Sequence, residues 1–395
     1  GFRGVGIADI DGDGKLDIGM TARLADFNSR AASGSIYIVY GSLLDDWTGT
    51  GNVVDLGTTT NFNVRVDGAL ANEILGMSEI LFTDLDNTGA LDFVVGASAD
   101  YNSRSNSGSV YVIKNIGTTY SGTGNLVDLA ISTNYFIRYD GPVAAYALGE
   151  MFVKSGDIDG DAKMDLILPA SSAGFNGRSS SGSVYVIKNT LIDDYSGTGN
   201  NIDLATTTNF NMRFDGGNTT SEFLGLSILP ADLNADGRTD LMLGALGADY
   251  NSRTASGAGD FMYSTLLDTF TGTANLIDLA TTTNFNLRVD GAVAGENMFR
   301  YNPLAIDYNN DGLIDIATGT IDDNNSRADS GATYILMNNI FASTSGTGNL
   351  VDLSTSTGDR IIFDGAAAGH FMSEASIAID DYNGDGTKDV LSGSY

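Results

Sequence analysis

Six short stretches of the chain crowd carboxylates at a spacing that suits a metal ion: Asp9-Ile-Asp11-Gly-Asp13-Gly14-Lys-Leu-Asp17, and copies opening at Asp84, Asp157, Asp232, Asp307 and Asp381. A hard cation of calcium's size takes about six to eight oxygens. A tight loop can offer side chains from positions 1, 3, 5 and 9 and a backbone carbonyl from position 7. The first copy is expected to supply Asp9, Asp11, Asp13, the carbonyl of Lys15, and Asp17. The second supplies Asp84, Asp86, Thr88, Ala90 and Asp92, and the third Asp157, Asp159, Asp161, Lys163 and Asp165. The fourth supplies Asp232, Asn234, Asp236, Arg238 and Asp240, and the fifth Asp307, Asn309, Asp311, Leu313 and Asp315. The sixth supplies Asp381, Asn383, Asp385, Thr387 and Asp389. Four carboxylates within nine residues repel one another unless a cation sits among them.

Position 6 is Gly in five copies, as at Gly14, which allows the left-handed turn that swings the chain round an ion. The third copy has Ala162 there, and the second has lost a carboxylate to Thr88, so these two are expected to bind more weakly, the Asp84 copy most so. An EF-hand is excluded: its loop needs a bidentate Glu at position 12, where this chain has Met20, and it needs flanking helices. Magnesium fits less well, because it keeps several waters and few protein ligands. A solvated Asp/Gly turn explains one such stretch, but not six in register.

The copies are 75, 73, 75, 75 and 74 residues apart. Repeats of this regularity define the architecture before any single element does. An Asn-Ser-Arg loop follows the first five acidic stretches, at Asn28-Ser29-Arg30, Asn102-Ser103-Arg104, Asn251-Ser252-Arg253 and Asn325-Ser326-Arg327, with Asn176-Gly177-Arg178 as the third version. A β-rich run comes next (Ser109-Val-Tyr-Val-Ile113), then a Gly/Thr/Asn loop (Ser121-Gly-Thr-Gly-Asn125), then an alternating run ending in Asp-Gly (Phe62 to Gly68). Each unit therefore reads as four short strands punctuated by Gly, Asn, Asp and Ser. No stretch sustains an apolar 3.6-residue period of helical length, so the fold class is all-β. Four antiparallel strands per repeat suit a β-propeller blade, and an open array of β units is the alternative. The blades are expected at about 1–74, 75–147, 148–223, 224–297, 298–371 and, in part, 372–395, forming one domain.

Composition bounds the partners. Fifty acidic against twenty basic side chains give a formal net charge of −30, which repels nucleic-acid phosphates and anionic membranes. The six loops hold twenty Asp, two-fifths of the acidic residues, and six calcium ions would bring −30 to −18. The chain has no Cys, which excludes disulfides and Cys-based zinc sites, and no apolar run long enough to insert into a membrane as a helix. It starts at Gly1 without a signal peptide and reads as a mature or excised piece of something longer.

The order of strand, Asp-x-Asp-x-Asp-Gly-x-x-Asp, apolar strand, Gly-Ala and Gly-Ser-Val-Tyr-Val resembles the FG-GAP repeats that build the propellers of integrin α subunits and of many bacterial surface proteins. The resemblance covers essentially the whole chain and implies calcium in the loop between a blade's first two strands. The family's Phe-Gly pair appears here as Leu75-Gly76, Leu148-Gly149 and Leu224-Gly225, then Met298-Phe299 and Phe371-Met372. Its Gly-Ala-Pro element reads Gly96-Ala97-Ser98, Pro169-Ala170-Ser171 and Gly244-Ala245-Leu246. The Thr- and Asn-rich loops are similar to bacterial members, and no partner β subunit is implied. Seven blades of this length need about 520 residues, so five units and part of a sixth imply an incomplete ring.

Catalysis is not expected. His370 is the only His, reads as a loop residue, and excludes a His-rich metal centre. Paired carboxylates can hydrolyse glycosides, yet here they recur in every unit, whereas catalysis breaks symmetry at one site. No nucleophile elbow or phosphate-cradling loop is present. Arg30, Arg104, Arg178, Arg253 and Arg327 could ring an anionic or sugar ligand, but salt bridges fixing loops between blades explain their recurrence better. Tyr37, Tyr111 and Tyr185 read as core, and the single Trp47 is weak evidence for a binding site. The expected function is an extracellular, calcium-rigidified adhesion or ligand-binding module for a protein or carbohydrate at the cell surface. A self-assembling subunit of a surface layer or filament, or a non-catalytic domain of a secreted hydrolase, is the alternative.

Overall fold

The β-branched and aromatic runs of each repeat do form strands, in the positions that period-2 alternation assigns. The computed structural model describes residues 4–218, 220–321, 327–342, 344–356, 358–373 and 377–393; Asn325 and Ser326 of the fifth polar loop, and Tyr395, lie outside them. The chain separates into two compact units: Gly1–Ser155 with Ala162–Ala170 and Val186–Phe210, and Gly156–Asp161 with Ser171–Tyr185 and Asn211–Tyr395. Helix among the described residues is confined to four-residue α turns and three-residue 3₁₀ turns, so the class is all-β.

In the first unit, β1 (Val5–Ala8), β2 (Asp17–Ala22), β3 (Ser35–Val39) and β4 (Val64–Asp67) form an antiparallel series. The next repeat supplies β5 (Leu81–Thr83), β6 (Asp92–Ala97), β7 (Ser109–Ile113) and, after β8 (Asn125–Asp128), β9 (Ile137–Asp140). The third repeat, divided between the units, contributes β10 (Lys154–Gly156), β11 (Asp165–Ala170), β12 (Ser183–Ile187), β13 (Asn200–Asp203) and β14 (Met212–Asp215). In the second unit, β15 (Leu224–Ala231), β16 (Asp240–Ala245), β17 (Ala258–Met262) and, after β18 (Asn275–Asp278), β19 (Leu287–Asp290) repeat the pattern. The fifth repeat supplies β20 (Leu304–Ile306), β21 (Asp315–Thr320), β22 (Ala332–Leu336) and, after β23 (Asn349–Asp352), β24 (Arg360–Asp364); β25 (Ile377–Asp380) and β26 (Asp389–Ser392) pair beyond them.

The expected four-stranded unit gains a fifth strand. β8 runs parallel to β4 of the preceding repeat, with Val64 opposite Asn125 and Asp67 opposite Asp128. β13 pairs in the same way with β9, β18 with β14 and β23 with β19. The Gly/Thr/Asn segment expected as a plain loop is therefore the lead-in to a strand lent backwards. Asn side chains fasten it: Asn63 Nδ2 donates to Gly122 O at 2.9 Å, and Asn125 Nδ2 donates to Asn63 O at 2.9 Å. The same exchange links Asn211 with Gly272 O and Asn275 with Asn211 O.

The third strands of the five repeats, and the second strands of the second to fifth repeats, lie in the interior. Every residue of β6, β16, β21 and β7 is buried, which matches their nearly continuous apolar character. In the first unit Ile36, Val64, Phe93, Val95, Tyr111 and Val127 pack in one cluster; in the second Phe261, Leu287, Phe299, Tyr334 and Phe341 do so. Trp47 belongs to a smaller cluster with Tyr37, Val39 and Phe62 and is packed rather than displayed. No helix of the described residues is long and apolar enough to cross a membrane.

Candidate metal centre

The acidic loops span the gap between first and second strands, and the repeat's local chemistry shapes them. Position 6 takes the left-handed backbone, with φ of +87° at Gly14, +84° at Gly89 and Gly237, +85° at Gly312 and +87° at Gly386. Ala162 is forced into the same conformation at +69°. Position 4 is left-handed as well, at Gly12, Asn87, Gly160, Ala235, Asn310 and Gly384. Sequence reasoning missed this second turn, although Gly and Asn in five of the six copies signal it.

The position-1 carboxylate wraps the loop's own amides. Asp9, Asp232 and Asp307 accept from the position-6 N–H at 2.9, 2.8 and 2.9 Å, and Asp84 and Asp381 do so at 2.7 Å. In the third copy Gly160 N and Asp161 N donate to Asp157 at 2.7 and 3.0 Å. Position 5 accepts from the position-7 amide, as in Lys15 N to Asp13 and Arg238 N to Asp236, both 2.9 Å. Leu313 N to Asp311 and Thr387 N to Asp385 repeat that contact at 2.9 Å. The charged position-7 side chains turn away, Lys163 to Asp193 and Arg238 to Asp268 at 2.5 Å, and Lys15 to Asp45, which leaves position 7 of those copies to act through its carbonyl alone.

Position 9 plays a more structural part than the spacing suggests. Asp17 is fully buried; Ile10 N and Gly41 N each donate to it at 2.6 Å, tying the acidic loop to the end of β3. Asp92, Asp240 and Asp315 hold the matching residues Asn115, Ser264 and Asn338 at 2.7 Å. Asp165 holds Asn189 at 2.7 Å, and Asp389 accepts from Tyr382 N at 3.0 Å.

Within the first unit, two triads of carboxylates come close enough to hold an ion. Oxygens of Asp9, Asp11 and Asp13 lie within 4.8 Å of one another, as do those of Asp84, Asp86 and Asp92. Asp9 Oδ1 and Asp86 Oδ1 are buried atoms without a hydrogen-bond partner. Burial, then the charges of Asp17, Asp13 and Asp9, raise the Asp11 carboxyl above its ordinary range. Burial pushes Asp92 up to about 6 and Asp240 up to about 7. Such carboxylates await positive charge. The later loops carry a neutral oxygen donor at position 3, with Asn234 Oδ1 accepting from Asp236 N at 2.9 Å, and Asn309 and Asn383 likewise at 3.0 and 2.8 Å.

The second loop differs in a way that sequence reasoning did not foresee. Lys114 Nζ lies 3.1 Å from Asp86, and Thr88 Oγ1 turns to Asn115 at 3.1 Å. Burial works against ionisation of Asp86, but hydrogen bonds from Thr88 and Lys114 and the Lys114 charge hold it below the usual range. Ala90 N lies at the limit of bonding to Thr88, 3.5 Å.

The recurrent arginines fix repeats together. Arg30 reaches Asp128 at 2.5 Å, Arg104 reaches Asp203 at 2.6 Å, Arg178 reaches Asp278 at 2.5 Å and Arg253 reaches Asp352 at 2.7 Å. Each acceptor ends the strand lent by the next repeat. Nε of Arg30, Arg178 and Arg253 also donates to the Gly carbonyl after the fourth strand, at 2.9, 2.8 and 3.0 Å. Tyr37, Tyr111 and Tyr185 are buried in third strands, and His370 is exposed in a loop.

No family model matches the chain, and no curated protein matches it. Among solved structures, it is similar to a Bacillus licheniformis rhamnogalacturonan lyase of class PL11, at 12% identity over 93% of this chain and 55% of that one, with a TM-score of 0.42. Rhamnogalacturonan lyase YesW is matched at 11% identity, 92% and 55% coverage and a TM-score of 0.42. The V. cholerae biofilm matrix protein Bap1 is matched at 11% identity, 98% and 73% coverage and a TM-score of 0.31. The chain thus spans about half the length of these two lyases.

Proposed function

We propose that the chain is an extracellular calcium-binding module whose acidic loops capture up to six ions, one per repeat. The observation that carries this reading is the convergence of Asp9, Asp11 and Asp13 around a buried, unpartnered carboxylate oxygen on Asp9. Bound calcium would neutralise the crowded carboxylates and clamp the two left-handed turns of each loop. The second loop is the weakest in this reading, because Lys114 already supplies Asp86 with positive charge. The third is weakened by the backbone cost of Ala162.

The loops sit between the first and second strands, where an FG-GAP blade holds its ion, and we extend the reading to a propeller of such blades with the repeat limits given above. Clamped loops would give a rigid rim for recognising a protein or carbohydrate at the cell surface. A binding role is favoured over catalysis because the carboxylate clusters are multiplied along the chain instead of being singular.

The test is removal and return of the metal. Chelation is expected to lower the melting temperature and calcium to restore it, since a ligand held at a hundred times its Kd stabilises by about 2.7 kcal/mol per site. Elemental analysis of Asp13→Ala should show about one ion fewer per chain. Melting that ignores the chelator, or an ion count that ignores the substitution, would reject the proposal.

A further inference from the structure

The third strand of each repeat carries Tyr at its centre, Tyr37, Tyr111, Tyr185 and Tyr334, except in the fourth repeat, where Asp260 stands in β17. In the second and fifth repeats the phenol has a definite task. Tyr111 donates its O–H to Glu73 Oε1 at 2.7 Å, and Tyr334 donates to Glu296 Oε1. The matching glutamate of the fourth repeat is Glu222, 38 residues before Asp260 just as Glu73 precedes Tyr111. A donor has therefore been exchanged for a second acid.

Both acids are wholly inside the second unit, each with no exposed surface. Neither oxygen of Asp260 has a hydrogen-bond partner, and Oε1 of Glu222 has none; its Oε2 accepts from Asn218 N at 2.8 Å. The surroundings offer little charge to spare. Across β16, Asp260 faces Leu243, which is apolar, and across β19 it faces Arg288. That guanidinium is forked onto Asp290, Nε at 2.6 Å and Nη2 at 3.3 Å, and lies over the Tyr250 ring at 3.3 Å. Arg178, which also acts on Glu222, is paired with Asp278. Arg288 with Asp290, and Arg178 with Asp278, are each neutral, so two ionised acids would leave two uncompensated charges in a buried site. Buried like charges of this kind do not both ionise.

We propose that Glu222 and Asp260 form a proton-binding pair, holding one proton between them, and that losing it as pH rises destabilises the second unit. Burial first, then the charges of Glu222 and Asp290 working against Arg288, raise Asp260 well above its ordinary range. Burial pushes Glu222 up to about 7 from 4.5. The folded state thus binds the proton more tightly than the unfolded chain. Its stabilisation is complete below the unfolded pKa values of 3.8 and 4.5 and falls as pH rises through the raised folded values, about 7 for Glu222 and also raised for Asp260.

Urea unfolding of the full chain at fixed, saturating calcium, followed from about pH 5 to pH 8, tests this for the native sequence, Asp260→Asn and Asp260→Tyr. One proton taken up on folding changes the unfolding constant about tenfold per pH unit. The native chain should lose stability relative to both variants at about that slope up to pH 7, and the native-minus-variant infrared difference spectrum should show a protonated-carboxyl band. Asp260→Tyr, which restores the residue of the other repeats, serves if Asp260→Asn does not fold. Parallel pH profiles for native chain and variants would overturn the proposal. So would a native chain whose extra stability follows sodium or calcium concentration at constant pH, because the pair would then hold a cation.

Discussion

Replacing Gly108 by Ala tests a close backbone contact between repeats against a matched control. Gly108 has φ of +77°, and a Cβ there would overlap the backbone N and O of Leu148 at the start of the next repeat. Gly122 has nearly the same φ, +78°, but a Cβ there meets nothing within 4 Å. Both substitutions lose the left-handed freedom of glycine, about 1–2 kcal/mol, and both recover about 0.4–1 kcal/mol from a stiffer unfolded chain. Gly122→Ala should therefore cost roughly 0.5–1 kcal/mol. Gly108→Ala carries a further cost of about 1–3 kcal/mol, because main chain cannot rotate aside as a side chain would, giving roughly 1.5–4 kcal/mol in all. Urea unfolding monitored by circular dichroism measures both. Equal losses would refute the claim that repeats meet by backbone contact at this glycine.

Other consequences can be checked in the same way. Arg253→Ala should cost about 1.5–3 kcal/mol, since a partly buried guanidinium loses hydrogen bonds to Asp352 and Gly291 O. Adding Asp352→Ala should cost much less than its single effect, and additive losses in the double-mutant cycle would deny the pairing. Ala162→Gly should stabilise by about 0.5–1 kcal/mol, as relief of its φ of +69° exceeds the entropy that glycine adds to the unfolded chain; a loss in urea unfolding would contradict this.

Strand order, loop position and the left-handed turn at position 6 were legible because each rests on local chemistry repeated at a fixed interval. Asp9, Asp11 and Asp13 could be grouped from spacing alone, since a nine-residue loop leaves them little choice of neighbours. The role of Asp17 was not legible: its partner Gly41 is 24 residues away and joins it only once β2 and β3 pair. Lys114 escaped for the same reason, reaching Asp86 from the end of β7. The lent strand was hidden by its introduction. Ser121-Gly-Thr-Gly punctuates like a loop, yet the following Leu126 is exposed and Val127 buried, the alternation of a sheet edge. Its parallel partner lies 61 residues earlier, in a different repeat.

That borrowed strand gives the array a polarity. At β4 with β8, β9 with β13, β14 with β18 and β19 with β23, the downstream repeat completes the upstream sheet, and among the described residues no strand is lent the other way. If a repeat melts, the sheet before it loses its outer ladder and its Arg–Asp clasp, whereas the sheet after it keeps its own four strands. Fraying should therefore spread towards the amino terminus more readily than away from it.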